Sequence, residues 1–265
     1  MITLSNLNFS YQTNKKILNN INLEINKGEI TFIIGQNGSG KSTLCSLIAN
    51  ILDGNGEIKI DNQDIKKMKN IDLRKKIGIV FQNPNNQVIF DKVIDDLNFV
   101  LDNLNIKNKE LNIDKSLNLM GITNLKNENP YNMSLGQKQK IAIATILATN
   151  PDYLVFDEVT SMIDYKGKKD IYKLLLELKK ENKGILFSTN IMEELIYADK
   201  IVILKDNTIY KIIDFNTLLD NLNILKEIDL EIPFNLKVFK LLKDKKIEFD
   251  KNDEESILLL IRNSL

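Results

Sequence analysis

Short apolar runs rich in β-branched residues open the chain at residues 2–7, 21–25 and 30–34, the last ending at Gly35. Runs of this length and composition, bounded by turn residues, predict strands. Residues 42–51 then carry helical spacing, residues 53–56 (Asp-Gly-Asn-Gly) read as a turn, and residues 57–60 and 77–81 as further strands. From about residue 83 to 148 strand signals are scarce. Apolar positions there fall at helical intervals, as at Val93, Leu97, Val100, Leu101 and Leu104. Beyond Pro151 the alternation returns, with strands predicted at 153–156, 185–188 and 201–204 and helices at 167–181 and 192–197. Fully apolar strands separated by helices imply an α/β fold built on a parallel sheet covered on both faces, with the central helical block as an insertion. After about Asp214 the pattern shifts to short amphipathic pieces around Pro233 and a last apolar stretch at 257–261, which reads as a C-terminal extension.

The 265 residues suffice for one large domain and an appendage, and 43% apolar with 27% charged residues is the balance of a globular chain. Lys+Arg and Asp+Glu balance at 36 each, so no net positive field draws in nucleic acid, and no nucleic-acid partner is expected. No apolar run approaches the roughly 20 residues of a membrane span. The chain is expected to be cytoplasmic, and if it works at a membrane it must dock onto something embedded. The single cysteine, Cys45, forms no intrachain disulfide and is expected as a small core residue. The complete lack of histidine excludes histidine bases, ligands and Ser-His-Asp triads. Whatever chemistry occurs falls to Lys, Asp, Glu, Gln, Asn, hydroxyls and backbone.

Gly35-Gln36-Asn37-Gly38-Ser39-Gly40-Lys41-Ser42-Thr43 matches the phosphate-binding pattern G-x-x-x-x-G-K-[ST], with a strand predicted before it and a helix after. Glycines let such a loop curl so that successive N–H groups face one anion, and the helix N-terminus adds partial positive charge. Lys41 is expected to reach the β- and γ-phosphates of ATP, and the Ser42 hydroxyl to ligate Mg²⁺. Further on, Tyr153-Leu154-Val155-Phe156 ends in the acids Asp157 and Glu158. Alone, that is a strand reaching the surface. Behind a phosphate loop, Asp157 is expected to hold Mg²⁺ and Glu158 to polarise the water that attacks the γ-phosphate.

Ser134-Leu135-Gly136-Gln137-Lys138-Gln139-Lys140, shortly before those acids, resembles the signature of ABC ATPases, usually written L-S-G-G-Q. Gln82 follows its strand as that family's Q-loop glutamine does, and Asp164 sits at the D-loop position. Tyr11 resembles the aromatic residue that stacks on adenine. The resemblance spans about residues 1–214 and implies a P-loop NTPase fold of the ABC nucleotide-binding type, with a helical subdomain at about 83–148. Residues 81–87 (Phe-Gln-Asn-Pro-Asn-Asn-Gln), 158–164 (Glu-Val-Thr-Ser-Met-Ile-Asp) and the tail at 230–234 (Leu-Glu-Ile-Pro-Phe) are similar to the ATP-binding subunits of energy-coupling-factor transporters. Thr160-Ser161-Met162 and Gln137-Lys138-Gln139 look more like the first of that family's two ATPase paralogues. The resemblance implies uptake of vitamins or other micronutrients driven by ATP. It implies as partners a second, paralogous ATPase, a membrane-embedded scaffold subunit and a separate substrate-binding component, with residues 215–265 contributing to pairing. In such a pair Ser134, Gly136 and Gln137 would contact ATP held by the partner, while Gln82 and Asp157 serve the metal and Gln82 and position 190 the attacking water.

Two positions depart from the family. Leu135 replaces the first signature glycine, and Asn190 stands where a histidine is usual. Asn190 can donate an amide hydrogen bond but takes up no proton. Two readings follow: an asymmetric pair in which this site turns over slowly, or a site in which Asn190 serves in the histidine's place. Another ABC importer, or a largely non-hydrolysing ATP-binding partner, is the alternative function.

Overall fold

The structure, a computed structural model, describes residues 1–12 and 15–248. Its centre is a six-stranded sheet in the order β10-β9-β3-β8-β7-β6. The strands are β3 (Ile30–Ile34), β6 (Ile77–Val80), β7 (Tyr153–Asp157), β8 (Gly184–Ser188), β9 (Lys200–Lys205) and β10 (Thr208–Ile213). All run parallel except β10, which pairs antiparallel with β9 at one edge.

Period-two alternation sorts the strand residues between two cores. Ile30, Phe32 and Ile34 of β3, Leu154 and Phe156 of β7, and Ile185 and Phe187 of β8 face one side. Ile33, Val155 and Leu186 face the other. Burial on both faces is why these segments are uninterrupted apolar runs. The second face is covered only in part by helix. There α1 (Lys41–Ile48) shares the core with a four-stranded antiparallel sheet, β2-β1-β4-β5. Its strands are β1 (Ile2–Gln12), β2 (Lys15–Ile25), β4 (Asn55–Ile60) and β5 (Gln63–Asp64). This sheet extends strands the sequence pattern ended early: β4 begins inside the expected 53–56 turn, where Asn8 pairs with Asn55 across a register shift. A short helix, α2 (Asn70–Lys76), leads into β6.

The long interval between β6 and β7 is helical among the described residues: α3 (Val93–Asn103), α4 (Lys109–Leu119) and α5 (Leu135–Ala148). Ser134 caps α5 with a reciprocal capping box: its hydroxyl accepts from Gln137 N at 3.2 Å while Gln137 Oε1 accepts from Ser134 N at 3.0 Å. Asp164 caps α6 (Tyr165–Lys180) through Gly167 N at 2.8 Å. The helix expected at 192–197 is instead a 3₁₀ segment, Met192–Tyr197. Its backbone is tightened as the chain turns from β8 back into β9. After β10, α7 (Phe215–Asp220), α8 (Asn223–Lys226) and α9 (Phe234–Asp244) pack on the first core through Leu218, Leu225, Leu236 and Phe239. The apolar stretch at 257–261 lies outside the described residues.

Candidate functional site

Four adjacent parallel strands deliver polar residues to one edge, at their carboxyl ends, where α/β sheets place their ligands. The phosphate loop follows β3, Gln82 follows β6, Glu158 follows β7 and Asn190 follows β8.

The loop is shaped by contacts only glycine permits at two positions. Gly40, the N-cap of α1, has φ +100°, and a Cβ there would lie 2.8 Å from Leu18 and 3.1 Å from the Ile17 carbonyl. A Cβ on Gly35 would lie 2.6 Å from both the Leu204 carbonyl oxygen and Ser39 Oγ. Gly35→Ala is expected to destabilise the fold by about 1–3 kcal/mol, because the clash is with fixed backbone; thermal unfolding of the purified variant measures it. No side chain caps α1, so its first-turn N–H groups keep no side-chain acceptor. The buried Ser39 hydroxyl likewise has no hydrogen-bond partner. Open amides, an orphaned hydroxyl and a helix N-terminus together suit a phosphate group.

Lys41 curls back into the loop, 4% exposed. Its Nζ donates to the carbonyls of Gly35 at 3.0 Å and Gln36 at 3.3 Å and lies 3.5 Å from Glu158 Oε1. Burial pushes its pKa below the ordinary lysine value, and the Glu158 charge partly restores it. Ser42 Oγ donates to Asp157 Oδ1 at 3.0 Å, and the buried Ser188 hydroxyl donates to the same oxygen at 2.6 Å. A hydroxyl and a carboxylate side by side are the hard oxygen donors that Mg²⁺ takes. Ser188 was not singled out from sequence; it reaches Asp157 because the two pair directly between β7 and β8.

Glu158 sits just past β7 with φ +48°, an uncommon conformation for a side-chain-bearing residue, and its N–H is held by the Ser188 carbonyl and hydroxyl, each at 3.1 Å. Gln82 Nε2 donates to Glu158 Oε2 at 3.0 Å, and Asn190 Nδ2 donates to Oε1 at 2.7 Å. Tyr11 is 63% exposed on the neighbouring sheet, its ring edge-on to Phe9 and its hydroxyl 3.3 Å from Thr43 Oγ1. Gln36 is turned outward, donating to Asp229 Oδ2 at 2.6 Å, and Asn37 and Gly38 are exposed at the tip of the loop. Cys45 is fully buried on α1, and burial pushes its thiol well above the ordinary range.

The signature residues lie elsewhere. Ser134, Leu135, Gly136 and Gln137 line a cleft of about 680 Å³ together with Met162, Ile163 and Asp164, and no residue of the phosphate loop borders it. Leu135 is exposed at its rim, so the side chain that replaces glycine needs no room within the fold.

The sequence profile of the family described as ABC transporter matches residues 18–161. The energy-coupling factor transporter ATP-binding protein EcfA1 of Mycoplasmoides gallisepticum is 37% identical over 89% of this chain and 86% of its own. The protein of the same description from Mesomycoplasma hyopneumoniae strain J is 38% identical over 96% of this chain and 95% of its own. Among solved structures, cbiO1 from Clostridium perfringens, part of the ABC transporter complex cbiONQ, superposes with a TM-score of 0.75 at 31% identity, over 90% of this chain and 98% of that one. The chain is an ABC-type, ATP-binding P-loop ATPase in fold and family. Within that class it belongs to the family of energy-coupling factor transporter ATP-binding proteins.

Proposed function

We propose that this chain binds and hydrolyses ATP as one ATPase of an energy-coupling factor transporter, powering uptake of a micronutrient from the cytoplasmic face of the membrane. The observation that carries this reading is the meeting of Ser42 with Asp157 at 3.0 Å beside a Glu158 that is held by Gln82 and Asn190. Phosphate loop and acidic strand end thus lie against each other. A dimeric ATP-binding cassette in a post-hydrolysis state, bound to ADP and Pi, has the same fold, with a TM-score of 0.74 at 28% identity.

In this reading the amides of residues 35–43 and the N-terminus of α1 hold the phosphates, with Lys41 releasing the Gly35 and Gln36 carbonyls to bond their oxygens. Ser42 and Asp157 would hold Mg²⁺, with Gln82 as a further ligand, and the bound ion would neutralise charge on the phosphate oxygens. Ser188 keeps one Asp157 oxygen oriented. Glu158 polarises the attacking water, and its positive φ fixes where its carboxylate points. Gln82 and Asn190 each bond one of its oxygens, so the carboxylate is oriented from both sides without a histidine. Asn190 therefore orients but moves no proton. The exposed Tyr11 ring offers a stacking face for adenine.

The signature cleft supports the need for a second ATPase. Ser134, Gly136 and Gln137 are separated from this chain's own phosphate loop, so they serve ATP presented by a partner, and a paralogue supplies the signature for this one. In this reading residues 1–214 are the nucleotide-binding domain with a helical part at 83–148, whose stretch near 82–96 meets the membrane scaffold, and residues 215–265 serve pairing. Among the described residues no helix is long and apolar enough to cross a membrane; in this reading the membrane component is a separate chain. The test is affinity capture of the tagged chain from detergent-solubilised membranes. A second ATPase and an embedded subunit are expected in stoichiometric amounts, with ATPase activity in the captured complex. Full activity from a homodimer free of any membrane protein would overturn the reading.

A further inference from the structure

Asn190 reaches Glu158 with an exposed side chain, so its precision has to come from the backbone that carries it. That backbone is gripped from below by Glu194. The Glu194 side chain is 1% exposed, in the first turn of the 3₁₀ segment Met192–Tyr197. A buried carboxylate is costly unless hydrogen bonds satisfy it. Two hydroxyls do so here: Thr189 Oγ1 donates to Oε2 at 2.5 Å and Tyr172 OH to Oε1 at 2.7 Å. Thr189 Oγ1 in turn accepts from Ile191 N at 2.9 Å, and Thr189 N donates to the Ile33 carbonyl at 3.1 Å. Thr189 is thus fixed by its backbone on β3, the Ile191 amide is held by the Thr189 hydroxyl, and that hydroxyl is held by Glu194.

We propose that Glu194 is a positioning residue for hydrolysis: by holding Thr189, and through it the Ile191 amide, it keeps the Asn190 amide on Glu158 Oε1. The proposal rests on Glu158 polarising the attacking water. Glu194 itself touches neither nucleotide nor water. Its second anchor, Tyr172, lies on α6 and stacks on Tyr197 with ring centroids 4.4 Å apart, which places the grip on rigid structure. Burial first, and then the Glu194 charge, push the Tyr172 hydroxyl above the ordinary tyrosine range, so it remains a donor. Burial also pushes the Glu194 carboxyl up, and the Thr189 hydroxyl is the first of the groups that pull it back.

The experiment is a double-mutant cycle in the assembled transporter. Glu194→Ala is expected to lower kcat on the order of 10- to 100-fold, the cost of a misplaced group near the reacting atoms. The KM for ATP should stay within about twofold, because the phosphate loop is untouched. Asn190→Ala is expected to lose a similar factor, and the double variant no more than Asn190→Ala alone. Glu194→Gln, which keeps the shape and one acceptor, should restore most of the rate. Hydrogen exchange at the Ile191 amide should speed up in Glu194→Ala and stay slow in Glu194→Gln. Should Glu194→Ala fail to fold, Tyr172→Phe deletes only one anchor; it should cost a few-fold in kcat, and nothing further in the Asn190→Ala background. Multiplicative losses in the double variant, or a folded Glu194→Ala with unchanged kcat, would overturn the proposal. Hydrolysis persisting at this chain's own site in Glu158→Gln, read by single turnover with the partner's site disabled, would instead sink the underlying reading, and Ile191 exchange would still decide whether Glu194 holds this segment.

Discussion

Glu158→Gln is expected to abolish hydrolysis at this site while leaving ATP bound. A general base contributes about 10²- to 10⁴-fold to a rate, and the amide has no basic oxygen to offer the attacking water. The rest of the site is left in place. Ser42, Asp157 and Ser188 do not depend on Glu158 for their mutual bonds, and the Lys41 contacts to Gly35 and Gln36 persist. Removing a negative charge 3.5 Å from Lys41 also frees that cation for the phosphates, so affinity for ATP should hold or rise. The measurement pairs steady-state ATPase activity of the complex with equilibrium binding of ATP. Two forms of the loss separate the readings of Asn190. Complete loss of activity in the complex would mean that this site carries the turnover. Activity that survives belongs to the partner's site, and marks this one as the slow member of an asymmetric pair. The Asn190 bond to Glu158 at 2.7 Å favours the first outcome, since the donor that orients the carboxylate is present.

The site was legible in the sequence to the extent that its parts are contiguous. The loop 35–43 and the acids at 157–158 are single short segments whose residue types carry their chemistry, and uninterrupted apolar runs set the parallel strands beneath them. Glu158 could be named from its place behind the phosphate loop, and Gln82 only through the family resemblance. Ser188 could not be assigned its role, because the bond to Asp157 depends on β7 and β8 being neighbours in register, and many strand orders satisfy the same pattern. Glu194 was hidden for a related reason: in the sequence it is one acid of an amphipathic turn, and only packing shows that it points inward to Thr189 and Tyr172. The edge strand β10 was missed because its burial alternates weakly, with Tyr210, Lys211 and Ile212 exposed. β1 and β2 run on past their apolar halves for a similar reason, since the outer ends of this antiparallel pair are polar and held by backbone bonds. The 3₁₀ form of Met192–Tyr197 has the same apolar spacing over six residues as a short α-helix, so periodicity alone does not separate them.

Charge balance within the site explains why so many groups converge on two carboxylates. Asp157 and Glu158 are adjacent in sequence, and together with a triphosphate they concentrate negative charge at one strand end. Lys41 is the cation the structure places among them, within 3.5 Å of Glu158, and it is nearly buried. Its burial lowers its affinity for a proton, and the Glu158 and Asp157 charges raise it. Mg²⁺ on Ser42 and Asp157 would add the remaining positive charge.

Lys41→Ala should therefore show the larger loss in binding. A charge-assisted hydrogen bond contributes about 1.5–3 kcal/mol, so removing even one lowers nucleotide affinity by about 10- to 150-fold. Loss of the cation also leaves Glu158 to repel the phosphates, which adds to the deficit. Fold stability should change little. The ammonium is desolvated, and its two carbonyl partners lie in a loop whose Gln36, Asn37 and Gly38 are exposed to water. That contrast distinguishes the variant from Gly35→Ala, which acts on the fold itself. Lys41→Arg keeps the charge, but its planar fork does not fit a loop that holds a point-charge ammonium between the Gly35 and Gln36 carbonyls, and should recover little. Isothermal titration with ATP and Mg²⁺ on the full chain, alongside thermal unfolding, measures both. Wild-type affinity in a folded Lys41→Ala variant would remove the phosphate-binding role of residues 35–43, and with it the placement of Ser42, Asp157 and Glu158 around a nucleotide.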